Sequence, residues 1–87
     1  MSLSVADIAQ KGAKQMEKVT GLAMATLVGV DAAEGGWRVK VELVEQKTIP
    51  PGMDVLGLYE ARLDASGNLL SFERHGLRKR MDTDVNW

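Results

Sequence analysis

The chain has 87 residues, of which 45% are hydrophobic, 26% charged and only 5% aromatic, with a formal charge of −1. With no Cys and a single His, a disulfide framework, a Cys-based zinc site and a His-rich metal site are excluded, and a His-dependent triad is disfavoured. Near-neutral charge excludes a globally basic nucleic-acid binder, and the length argues for one domain. Surface scaling gives roughly 5,000 Å² folded against about 14,000 Å² unfolded, enough for one modest core but not for a roomy enclosed active site.

No basic start followed by an apolar run marks a signal peptide. The longest mostly apolar stretch, Leu22 to Val30, is interrupted by Thr26 and Gly29 and reaches about half the ~20 residues of a membrane span. A cytoplasmic protein without a membrane span is therefore expected.

Ser4 to Thr20 has helical periodicity. Val5, Ile8, Ala9, Gly12, Met16 and Val19 fall on one stripe, while Lys11, Lys14, Gln15 and Lys18 lie mostly off it. Ser4 is placed to cap the first turn, with Asp7 three residues on as a capping-box variant, and Gly21 supplies a stop. Gly12 costs helix stability, of order 1 kcal/mol against Ala, which a close approach to the neighbouring layer would offset.

Beyond the helix the period changes from 3.6 to 2. Ala25 to Val30 reads as a short strand, and Glu34-Gly35-Gly36 as a turn. From Trp37 to Leu43 the alternation is strict, with Trp37, Val39, Val41 and Leu43 on one face and Arg38, Lys40 and Glu42 on the other. Pro50-Pro51-Gly52 breaks the pattern. Val55 to Leu63 is a further strand, Asp64 to Asn68 a hairpin loop, and Leu69 to His75 or beyond the last strand. Short turns make these strands antiparallel.

One apolar helix stripe and one apolar sheet face give two layers. The expected fold is α+β: an N-terminal helix (1–21) on one face of a three- to four-stranded antiparallel sheet (22–80), in one domain, with a flexible tail at 81–87. The expected core is Ile8, Met16, Trp37, Val39, Val41, Leu43, Tyr59 and Phe72. Leu56 and Leu58 alternate with Val55 and Tyr59, so the third strand carries apolar groups on both sides. That requires a bulge near Gly57 or a partly covered outer face.

No catalytic set assembles. No Ser occupies a G-x-S-x-G turn, and no phosphate loop follows Gly35-Gly36. His75 with Asp64 or Glu73 is a poor zinc set, and Asp64-Ala65-Ser66-Gly67 lacks the terminal Glu of a calcium loop. No catalytic residue, metal site or cofactor is expected. Glu42 and Glu45, three apart on a strand, point to opposite faces, with Glu42 expected on the solvated face beside Arg38 and Lys40. Four of the eleven basic residues (Arg74, Arg78, Lys79 and Arg80) fall within seven positions, a cluster suited to phosphates or an acidic protein surface. No aromatic interleaves with it, so stacking on single-stranded nucleic acid is not expected.

From Gly36 to Arg80 the chain resembles the gas vesicle protein O family. The resemblance is carried by Gly36-Trp37-Arg38-Val39, Val41-Glu42-Leu43-Val44-Glu45, Ile49-Pro50, Asp54-Val55-Leu56, Tyr59-Glu60, Leu63-Asp64, Gly67, Leu69, and Phe72 with Arg74. The family ending is usually rich in Arg and Tyr, whereas here His75-Gly76-Leu77 precedes Arg78-Lys79-Arg80. The resemblance implies a non-catalytic accessory role in building gas vesicles, with other gas vesicle proteins as partners and cytoplasmic or vesicle-associated localisation. On that reading the contacts run through a sheet edge or the apolar face near Leu56 and Leu58. The alternative it implies is regulation of gas vesicle gene expression through nucleic acid held by Arg74, Arg78, Lys79 and Arg80. A small-ligand pocket between helix and sheet is a third, weaker reading. Neither the oligomeric state nor the strand order follows from the sequence.

Overall fold

The structure is a computed structural model and describes residues 4–47, 49 and 53–80. It contains one helix, α1 (Val5–Thr20), followed by strands β1 (Met24–Ala33), β2 (Gly36–Gln46), β3 (Val55–Asp64) and β4 (Leu69–Lys79). The strands form one antiparallel sheet in the order β1-β2-β3-β4, so each strand pairs with its neighbour in sequence. The expected two-layer α+β architecture is the observed one. The first two strands are longer than the alternation alone marks.

Helix α1 starts where its cap dictates. The Ser4 hydroxyl accepts from the Asp7 amide and the Asp7 carboxylate accepts from the Ser4 amide, which closes a capping box. It ends at Gly21, whose φ of 73° is the left-handed conformation that lets its amide return to the Glu17 carbonyl. The buried face is Ile8, Ala9, Gly12, Ala13 and Met16. Val5 and Val19, placed on the stripe by spacing, are more than half exposed because they lie at the helix ends, beyond the buried face. A Cβ on Gly12 would sit 3.1 Å from Val39 Cγ2 and 3.2 Å from Leu63 Cδ1, so its missing side chain lets α1 approach the sheet closely.

The main core joins Ile8, Ala13 and Met16 to Val39, Val41, Leu43, Tyr59, Ala61 and Leu63, with Trp37, Leu22, Val30 and Leu69 packed around it. Phe72, expected in this core, is 40% exposed. Its strand lies past the area that α1 covers, because the helix packs on β1, β2 and β3. At β4 it makes a polar contact instead. The Gln15 side chain donates to the Gly67 carbonyl (2.7 Å) and accepts from the Leu69 amide (2.8 Å), while Lys11 donates to the Ser66 carbonyl (3.0 Å). The β3–β4 turn is thereby fixed to the helix. Within that turn the Asp64 carboxylate accepts from the amides of Asn68 and Ser66 and from the Asn68 side chain. Hydrogen bonds from Asn68 above all hold its carboxyl below the ordinary 3.8.

Replacing Gln15 with Ala removes both hydrogen bonds and leaves the half-buried Leu69 amide unpaired. The expected loss is about 1–3 kcal/mol, read as a fall in Tm of roughly 4–8 °C per kcal/mol in a thermal melt.

Candidate functional site

Strand β3 is buried on both faces. Tyr59, Ala61 and Leu63 face α1, whereas Leu56 and Leu58 lie on the opposite face at 1% and 7% exposure, beside the buried Val44. The expectation that Leu56 and Leu58 offer an exposed apolar surface is thus corrected. No bulge interrupts β3 itself. The register shifts fall in its neighbours, at Glu45 in β2 and at His75 and Leu70 in β4.

Glu42 is corrected as well. It shares a face with Arg38 and Lys40, as alternation demands, but it is 3% exposed and not solvated. The reason is non-local. Arg78 reaches from β4 across β3 and grips both carboxylate oxygens, with Nε on Oε2 and Nη2 2.9 Å from Oε1. Such a bidentate pair satisfies a buried carboxylate in a way that a point charge would not.

Glu45 lies on the other face, where it accepts a hydrogen bond from the Tyr59 hydroxyl and sits 3.6 Å from Arg74. These side chains lie across Gly57. A Cβ there would come within 2.5 Å of Glu45 Oε1 and 2.8 Å of Tyr59 Cε2. Burial, then the hydrogen bond to Glu45, raises the Tyr59 phenol above its ordinary 10.0, with Arg74 opposing.

The basic cluster does not form one patch. Arg74 pairs with Glu45 on the helix side and Arg78 with Glu42 on the opposite side. Arg80 pairs with the buried Asp54 at 3.3 Å and donates its amide to the Asp54 carbonyl, closing the β3–β4 end. Lys79 lies opposite Val55. Met81 to Trp87 fall outside the described residues, as does the expected tail.

Apolar side chains stay exposed on both edge strands, with Met24, Leu27 and Val28 about 40% exposed on β1. Strand β4 is an edge strand on which Leu70 is 66%, Leu77 53% and Phe72 40% exposed. Phe72 and Leu77 lie opposite Ala61 and Gly57, so they continue the helix-side face past the helix, on either side of the half-exposed Arg74. Phe72 also leans on Tyr59, with ring centroids 6.3 Å apart. Sequence reasoning missed this strip because a half-covered strand and a fully covered one share the same alternation. His75 lies 3.2 Å from Glu60 and 3.5 Å from Glu73, and these three are the group of possible metal ligands among the described residues. Asp64, the other carboxylate weighed with His75, is engaged in its own turn. Among the described residues no helix is long and apolar enough to cross a membrane.

Fold and surface define a two-layer α+β domain, one helix on a four-stranded meander whose edge strand β4 carries exposed apolar side chains. The family model described as "Gas vesicle synthesis protein GvpO" matches residues 1–84, and the chain belongs to this family. The chain is 44% identical over 48 residues to gas vesicle protein O of Haloferax mediterranei, covering 54% of this chain and 34% of that protein. To gas vesicle protein O of a Streptomyces species it is 33% identical over 60 residues, covering 69% and 47%. To gas vesicle protein O1 of Halobacterium salinarum it is 34% identical over 47 residues, covering 54% and 40%. The matches thus span less than half the length of these relatives. No solved structure matches the chain.

Two outcomes follow from the paired groups. Arg78→Ala leaves Glu42 buried and unpaired and is expected to cost about 3–5 kcal/mol in denaturant unfolding, while Glu42→Leu with Arg78→Met restores most of it. Tyr59 is the single tyrosine, so ultraviolet titration of the phenolate reads it alone. Its midpoint is expected above 10.0, lower in Glu45→Gln and higher in Arg74→Ala. The folded state holds this proton more tightly than the unfolded chain. The associated stability is therefore full below about pH 10 and is lost as pH rises through the folded value.

Proposed function

We propose that this domain is a non-catalytic accessory factor in gas vesicle assembly that works by binding other gas vesicle proteins. The observation that carries the reading is the apolar strip of Phe72 and Leu77 on β4, with Leu70 beside it, left outside the cover of α1. Membership in a family described by gas vesicle synthesis supplies the context. The occupant is an apolar segment of another gas vesicle protein. A shell that encloses gas requires apolar protein surface, and such surface needs shielding before assembly.

Docking through side chains fits β4 better than strand addition. The irregularities at Leu70 and His75 break the row of edge amides and carbonyls that an added strand would need. The partner then covers the helix-side face of β4 and extends the existing core by one strand.

The nucleic-acid reading draws less support than the sequence offered it. Arg74, Arg78 and Arg80 each face a carboxylate of this same chain, which reduces the charge available to phosphates.

The test is affinity capture of the tagged chain co-expressed with other gas vesicle proteins. Those proteins are expected in the captured fraction, and Phe72→Asp or Leu77→Asp should cut recovery about tenfold with unchanged circular dichroism. Undiminished recovery by both folded variants, or capture of nucleic acid in place of gas vesicle proteins, contradicts the reading.

A further inference from the structure

We propose that Glu60, Glu73 and His75 form a binding site for one divalent transition-metal ion of the zinc class on the sheet face opposite α1. The proposal is independent of the docking strip, which lies on the other face. Glu60 and Glu73 are directly opposite one another across β3 and β4. Like charges at such a position repel, unless a positive centre lies between them. His75 lies against both carboxylates, at a register irregularity. It stands at a register shift, between Arg74 opposite Tyr59 and Gly76 opposite Leu58. The bulge brings its ring over the carboxylates, and the neighbouring Gly76 adds no side chain to obstruct it.

Two of the three donor separations are those a small tetrahedral ion requires, one of them spanned by a hydrogen bond between His75 and Glu60. His75 Nε2 is 3.2 Å from Glu60 Oε2 and 3.5 Å from Glu73 Oε1, and one ligand atom from each residue lies within 4.8 Å of the other two. Ligand bonds of ~2.0–2.2 Å in a tetrahedron separate neighbouring donors by about 3.3–3.6 Å. Closing the set around an ion therefore needs only side-chain adjustment, chiefly of Glu73, which is 70% exposed. Glu60 is better fixed. Its side chain is 17% exposed, and its other oxygen, Oε1, is held 3.3 Å from Arg38 Nε, as outer partners hold a ligating carboxylate.

A fourth position for water is available. A shallow depression of about 250 Å³ adjoins the cluster, lined by Glu60, Arg62, Ser71, Phe72 and Glu73. The donor set selects the class of ion. Mg²⁺ and Ca²⁺ take all-oxygen shells of six or more ligands, which two carboxylates and an imidazole do not supply. An imidazole nitrogen with two carboxylates instead suits zinc and its neighbours in the transition series. Binding involves no redox change and displaces only a proton from the ring nitrogen, where one is present, together with water from the ion.

The test uses the purified full chain titrated with Zn²⁺ in a non-coordinating buffer, followed by calorimetry and by the imidazole resonances of the single histidine. The expected result is saturation at one ion per chain with a shifted imidazole, and no shift with Mg²⁺. His75→Ala and Glu73→Gln should each weaken binding about tenfold or more, with unchanged circular dichroism, while Asp31→Asn on β1 binds as the parent does. An unmoved imidazole at saturation, equal binding by both site variants, or the same shift with Mg²⁺ would overturn the assignment.

Discussion

One helix cannot cover four strands, and most of this structure follows from that limit. At about 1.5 Å per residue and ~10 Å across, a 16-residue helix shields two or three strands spaced ~4.8 Å apart. Helix α1 settles over β1 to β3, with Gly12 drawn against Val39 and Leu63, and the core concentrates there. Strand β4 keeps its hydrogen bonds to β3 but has little apolar cover on the helix side. Its tie to the helix is polar, through Gln15 at the turn that leads into it.

The opposite face of the sheet has a different solution. Val44, Leu56 and Leu58 are buried there beside a carboxylate that would be costly to bury alone. Arg78 resolves this by fastening β4 to Glu42 on β2 across the intervening strand, and Arg80 with Asp54 fastens the same end a second time. A strand short of hydrophobic cover is thus held by ion pairs, Arg78 and Arg80 at its far end and Arg74 with Glu45 on the helix side. Such an arrangement fixes the position of β4 while leaving Phe72 and Leu77 accessible, as a preformed docking surface requires.

The sequence displayed what depends on near neighbours. The Ser4–Asp7 box, the stop at Gly21, the alternation from Trp37 to Leu43 and the turn after Asp64 are each set by a few adjacent residues, and all appear in the fold. It did not display what depends on register or on where the helix lies. Glu42 reads as a solvated residue until Arg78 is placed across β3, and Phe72 reads as core until the helix is seen to stop short of β4. Leu56 and Leu58, read as a contact face, are buried on the side away from α1, under the reach of Arg78 to Glu42. Likewise, His75 and Glu73 alone make a weak ligand set, and only the pairing of β3 with β4 brings Glu60 to them. Alternation assigns a residue to a face, but it does not say whether that face is covered.

On the proposed function, the helix-side face of β4 is where this domain meets its partner. Site-specific photo-cross-linking tests it most directly. A photoreactive residue replaces Leu77 in one variant and Leu27, on the helix-side face of the far edge strand, in another, each co-expressed with other gas vesicle proteins. The account predicts a cross-link to a gas vesicle protein from position 77 and none from position 27. Cross-linking from position 27 with none from position 77 would contradict it.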